Sequence, residues 1–188
     1  MRADAQRNYQ RLLSAAVATF AEHGADDVSL EEIARRAGVG IGTLYRHFPT
    51  RQALLEAVYR DQVEALRARA DELLESDSPG EAVALWLRAL MAFSSTKHSL
   101  TSALLTTLGK DSELLSSCGK VIYDGADAVL DRAKEAGFVR PDADARDVIR
   151  LVHAVNLASQ HAPSDPGQRD RLLGLILDGL CSQPRGAG

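Results

Sequence analysis

Cysteine is scarce in this chain of 188 residues: only Cys118 and Cys181 occur, and neither has a CxxC companion. Two isolated thiols exclude a disulfide framework and the paired-cysteine zinc sites, and they favour a reducing cytoplasm. Long apolar runs are missing as well. None approaches the ~20 residues that a membrane helix needs, so no membrane partner is expected. The opening MRADAQRNYQ has arginines with no apolar stretch behind them, which is not the pattern of a secretory leader. The five histidines (23, 47, 98, 153 and 161) form no i, i+4 pair and no HExxH, and no GxSxG occurs. Neither a metal site, a cofactor nor a catalytic residue is therefore expected. Strand-like alternation of useful length and internal repeats are absent too.

What remains is an ordinary globular balance, with 45% hydrophobic against 26% charged residues. The length suffices for one good core or two small ones. The net charge of −4 is unevenly spread: residues 1–60 hold eight arginines against seven acids, so the acidity lies in the rest. The arginines of that first part cluster at 2–11 and 35–51, which permits a positive face there without demanding one.

The apolar spacing is helical throughout, and the fold class expected is all-α. Leu13, Ala16, Val17 and Phe20 mark the buried side of a first helix that ends at Gly24. Thr50 is placed to cap a long helix whose apolar positions run from Leu54 to Leu74, a span of roughly 37 Å for about 25 residues. The SDSPG stretch at 76–80 is the clearest break. Further helical segments are expected at 81–97, 100–108, 112–137, 143–161 and 166–182, punctuated by Gly137, Pro141 and Pro163. The domain division expected is 1–50, a connecting helix over 51–76, and a second domain over 77–188.

Residues 29–51, SLEEIARRAGVGIGTLYRHFPTR, carry most of the functional information. Ser29 followed by Glu32 has the spacing of a capping box. Ile33, Ala34 and Ala37 give an apolar stripe, and Gly38 supplies a left-handed exit. A second short helix through Leu44 and Phe48 is stopped by Pro49. A small residue at the crossing, a glycine at the corner and a bulky plug beneath are the parts of a helix-turn-helix. The second helix of such a pair enters the major groove, where Ile41, Gly42, Thr43 and Arg46 are placed to reach base edges. Ser29 at its helix terminus is placed to touch phosphate. Leu44 and Phe48 read as core, and Arg35 and Arg36 as a solvated charged face. The GVGIG run has no preceding strand and no lysine at P-loop spacing, so it is not a nucleotide loop. Gly40 and Gly42 each cost about 1 kcal/mol of helix propensity, so this helix is expected to fray at its start and tighten on DNA.

The AxxxFAEHG stretch (16–24), the SLEEIARRAGV helix, GTLYRHF and TRQALLEAV together resemble the DNA-binding domain of the TetR family of bacterial transcriptional regulators. The resemblance implies that Tyr45 and His47 hydrogen-bond phosphates, and that Arg51 stands where the family commonly has a backbone-gripping lysine. It also implies a second domain with an apolar cavity for a small effector. Trp86, Leu90, Phe93, Leu105, Cys118, Tyr123, His153 and Asn156 are the residues placed to line one, although core packing explains each singly. The mix of Trp86 and Phe93 with leucine and alanine points to an apolar or aromatic ligand.

The last two segments have broad apolar faces, with Val148, Leu151 and Val155 on one and Leu172, Leu175 and Ile176 on the other. They must bury this surplus inwardly or against a partner. The resemblance implies a homodimer built through these helices, with Ala154, Ala158, Gly174 and Gly179 allowing close approach. Such a two-fold dimer sets its reading helices about 34–36 Å apart, or a multiple, on a palindromic double-stranded operator. The activity implied is a repressor released by its effector. The alternative is an activator or effector-independent regulator of the same fold.

Overall fold

The computed structural model describes residues 2–25, 28–109, 112–160, 165 and 167–181, with side chains except at 2, 95–99 and 160. Eight helices lie among them: α1 (Arg2–His23), α2 (Leu30–Ala37), α3 (Ile41–His47), α4 (Arg51–Leu74), α5 (Pro79–Leu108), α6 (Glu113–Glu135), α7 (Ala145–Gln160) and α8 (Gln168–Leu180). Among the described residues the only extended pairing is an isolated antiparallel bridge between Val139 and Cys181. The fold is all-α.

Local chemistry sets most of these boundaries. Gly24 leaves α1 with φ 81°, where a Cβ would be strained. The Thr50 hydroxyl accepts from the Ala53 N–H at 3.1 Å and caps α4. Pro79 opens α5, the position where its missing N–H costs no hydrogen bond. One boundary differs from expectation. Residues 81–97 and 100–108 belong to the single 30-residue α5. The polar SSTKHS run interrupts the apolar spacing, yet it contains no glycine or proline to break the helix itself.

The chain forms two compact units. The first comprises residues 1–63 and 95–118. Its core includes Leu12, Phe20, Ile33, Leu44, Leu54 and Val58, all fully buried or nearly so. Tyr59 is also buried there, and its phenol is pushed up to about 12 by burial and by the adjacent Cys118 thiol. It is a neutral core residue at physiological pH.

The second unit comprises residues 64–94 and 119–188. Trp86, Leu87, Leu90, Leu130 and Val152 are among its buried residues. Arg132 reaches from α6 to the carbonyls of Leu73 (3.2 Å) and Ser76, adding side-chain donors where the chain leaves α4. The Arg140 N–H donates to the Leu180 carbonyl at 2.9 Å and ties the end of α8 to the turn after α6.

Candidate nucleic-acid interface

Helix α2 is finished at both ends by its own sequence. Ser29 has extended backbone (φ −85°, ψ 152°) and its Oγ accepts from the Glu32 N–H at 3.2 Å. The reciprocal arm of the expected capping box does not form: the Glu32 carboxylate lies 3.7 Å from Arg35 instead. At the other end Gly38 is left-handed (φ 65°, ψ 37°). Its N–H donates to Arg35 O at 3.1 Å, and that of Val39 to Ala34 O at 3.0 Å. These two bonds satisfy carbonyls that the helix would otherwise leave open. Ile33, Ala34 and Ala37 are the buried stripe.

Helix α3 is positioned from outside. Leu44 and Phe48, one turn apart, are buried and turn the opposite side of the helix outward. The Tyr9 ring of α1 packs against Phe48 (centroids 5.2 Å apart) and edge-on to His47 (5.8 Å). His47 is thus half-buried and held by two rings. Ile41 remains 38% exposed and Tyr45 45%. Gly42 and Arg46 are exposed and Thr43 is half-buried. The Arg46 Nε donates to the Gly42 carbonyl at 3.1 Å, so its guanidinium lies along the helix in the free protein.

Two arginines have structural partners that sequence spacing does not reveal. The Arg51 guanidinium donates to the carbonyls of Ala25 and Val28, tying the segment before α2 to the start of α4. Arg36, expected on a solvated face, instead bridges to α1. It donates to the Thr19 hydroxyl at 3.0 Å and to both Glu22 carboxylate oxygens at 2.9 and 2.7 Å. Partners 14 to 26 residues away in sequence leave no local signature, and only the charge itself was visible.

The residues read as an effector pocket divide between the two units. Leu105 and Cys118 fall in the first unit, where Leu105 is 39% exposed and Cys118 buried. Trp86, Leu90, Phe93, Tyr123, His153 and Asn156 fall in the second. Trp86, Leu90 and Phe93 follow one another on the buried side of α5. Tyr123 is half-buried, with the Arg146 guanidinium 5.2 Å above its ring. His153 is half-buried. Asn156 is buried and donates to the Met91 carbonyl at 3.0 Å, while its Oδ1, like Trp86 Nε1 and Ser94 Oγ, has no protein partner.

The α7–α8 residues do come together. Val148, Leu151, Val155, Leu172, Leu175 and Ile176 all line one groove of about 710 Å³, together with Ala154, Ala158 and Gly179. Leu151 is 51% and Leu175 67% exposed. Arg140 and Asp142 stand at its rim, 2.6 Å apart, and the guanidinium holds the carboxyl below the usual carboxylate range.

A two-helix reading head with an outward-facing second helix, joined to a larger helical unit, defines a helix-turn-helix DNA-binding regulator. The comparisons make the class specific. Residues 12–58 match the model of the bacterial regulatory proteins of the tetR family, and residues 78–182 match that of the C-terminal domain of SbtR-like transcriptional regulators. The chain belongs to the TetR family of transcriptional regulators. It is 37% identical to the TetR transcriptional regulator SCO0520 from Streptomyces coelicolor, with a TM-score of 0.80 over 93% of this chain and 98% of that one. A TetR transcription regulatory protein from Mycobacterium vanbaalenii is 36% identical, with a TM-score of 0.76 over 96% and 98%. An uncharacterized HTH-type transcriptional regulator of Mycobacterium tuberculosis is 32% identical over 152 residues, covering 76% of this chain and 74% of that protein.

Proposed function

We propose that the protein is a homodimeric repressor that leaves a palindromic operator when a small molecule binds its second domain, residues 77–188. The observation that carries the DNA half is α3: its inward residues Leu44 and Phe48 are locked in the core while Gly42 and Arg46 on the opposite side, and Ile41 and Tyr45 at the margin of the buried stripe, stand exposed. Ile41, Gly42, Thr43 and Arg46 take the base edges, and Ser29, Tyr45, His47 and Arg51 the phosphates. The apolar groove along α7 and α8 is the surface for a second copy. A repressor works where the DNA is, in the bacterial cytoplasm.

The effector half rests on three buried, unpaired polar atoms of the second unit, Asn156 Oδ1, Trp86 Nε1 and Ser94 Oγ, since buried polar groups normally find partners. An apolar or aromatic molecule with a few polar groups supplies them. A coupling of about 1–3 kcal/mol between this site and the heads gives a 5–150-fold change in operator affinity.

Binding to the DNA immediately upstream of the protein's own gene, followed by fluorescence anisotropy against excess competitor, tests the reading. Saturable binding that survives competitor and is weakened by a compound found in a thermal-shift screen supports it. Specific binding that no stabilising compound relieves leaves a regulator without effector release.

A further inference from the structure

A hydroxyl inside a helix can satisfy itself by bonding the carbonyl one turn earlier. Thr19, Thr106, Thr107 and Ser159 all do so, at 2.6 to 2.9 Å from the carbonyls of Ala15, Ser102, Ala103 and Val155. Ser94 does not. It lies inside α5 and is 6% exposed, and its Oγ has no partner although the Leu90 carbonyl is one turn away. A buried hydroxyl left open in this way is costly.

Asn156 of α7 meets α5 at the same level. It is buried, and its Nδ2 donates to the Met91 carbonyl at 3.0 Å. A helical carbonyl points towards the following turn, and residues three apart are neighbours on a helix surface. The bond to Met91 therefore brings the Asn156 amide beside Ser94. Because the Met91 carbonyl can only accept, the amide orientation is fixed, and the unpaired atom is the acceptor Oδ1. An open acceptor and an open hydroxyl thus stand together inside the second unit. No ionisable group is buried with them. Among the described residues the buried polar side chains are Thr19, Ser94 and Asn156, and Thr19 belongs to the first unit. Trp86 Nε1, also unpaired, lies eight residues earlier on α5, about 12 Å along its axis, beyond the reach of the same group.

We propose that Ser94 and Asn156 are the polar anchor of the effector site, and that the effector is an uncharged alcohol on an apolar body. Its hydroxyl donates to Asn156 Oδ1 and accepts from the Ser94 hydroxyl, so one group satisfies both. Other polar groups fit less well. A ketone accepts only, and sets its oxygen against Oδ1. A carboxylate does the same and adds a charge with no buried cation to meet it, while an ammonium lacks a buried anion. This proposal rests on the effector reading and names the ligand class of that site.

The test uses the full-length protein and matched sets of alcohol, ketone and carboxylate on linear, aromatic and fused-ring carbon skeletons. Binding is titrated through the fluorescence of Trp86, the sole tryptophan, which is buried in the same unit. The best alcohol is expected to bind at least about tenfold more tightly than the ketone and carboxylate of its own skeleton. Ser94→Ala and Asn156→Leu should each cut that preference to about threefold or less. Ser94→Ala should also melt no lower than the parent, because the hydroxyl it removes has no partner; it carries the test if Asn156→Leu is unstable. Ketones or carboxylates that bind as tightly as alcohols overturn the proposal alone. So does an alcohol preference that survives Ser94→Ala, or a lower melting point for that variant, which would show its hydroxyl already satisfied. Binding of no compound in any set overturns the effector reading and the proposal with it.

Discussion

The two helices of the reading head are nearly the same length, eight residues for α2 and seven for α3, but they are stabilised in different ways. Helix α2 has a side-chain cap at Ser29, a left-handed glycine with two closing bonds at Gly38, and three buried residues. Helix α3 starts at Gly40 with no side-chain cap and has one buried residue, Leu44. Helices this short are marginal alone, since they complete only a few hydrogen bonds for the cost of nucleation. One is finished by its own ends. The other is held by what packs beneath it, namely Leu44, Phe48 and the Tyr9 ring. The consequence is functional: because α3 is held from one side, its outward residues have little part in folding and are available for DNA.

The strongest way to break this comparison is to remove the plug. Leu44→Ala deletes a fully buried side chain and is expected to cost about 2–5 kcal/mol, read by denaturant unfolding. DNA binding should fall with it, because nothing else fixes the orientation of α3. A loss below about 1 kcal/mol would mean that α3 is held by its own propensity after all.

Arg51 comes next. Its guanidinium fork holds the Ala25 and Val28 carbonyls ahead of α2, so Arg51→Ala should cost about 1.5–3 kcal/mol. Arg51→Lys separates this tie from a phosphate contact. Lysine keeps the charge but not the fork. It should therefore restore the salt slope of DNA binding, lowered by about one in the alanine variant, while leaving most of the stability loss in place. Full recovery of stability by lysine would show that the tie is dispensable.

Much of this head was legible because its punctuation is local. Gly24, Ser29, Gly38, Pro49 and Thr50 each act within a few residues of their own position, and periodic spacing identified Leu44 and Phe48. The α7–α8 groove was legible for the same reason, since its six predicted residues repeat at helical spacing. The partners of Arg36 and Arg51 were not, because bonds to residues 14 to 26 positions away depend on how α1, α2 and α4 pack. The continuity of α5 is not legible in the sequence, because its apolar spacing lapses at SSTKHS while the helix continues. The pocket residues were the least legible. Burial alone does not separate a ligand wall from a core, and the unpaired atoms of Trp86, Ser94 and Asn156 become visible only in three dimensions.

Smaller effects sharpen the contrast at the start of α2. Ser29→Ala removes the hydroxyl that accepts from Glu32 N–H and should cost about 1 kcal/mol. A change of only a tenth or two by thermal melting would place α2 in the same class as α3, uncapped and externally held.

Glu32 probes the half of the capping box that stays open. Its carboxylate is near Arg35 at 3.7 Å, where the Arg35 side chain is largely exposed. Its remaining contribution is the attraction of a negative charge to the N-terminal end of the helix. Glu32→Gln should therefore cost only a few tenths of a kcal/mol, and the difference should vanish in about 1 M salt, where the screening length is about 3 Å. A closed box behaves differently. Glutamine can replace glutamate in the reciprocal bond to the backbone, so Glu32→Gln would then be neutral and Glu32→Ala would lose stability in a salt-independent way. Melting the two variants at low and high salt distinguishes an electrostatic neighbour from a cap, and decides whether one hydroxyl is enough to start α2.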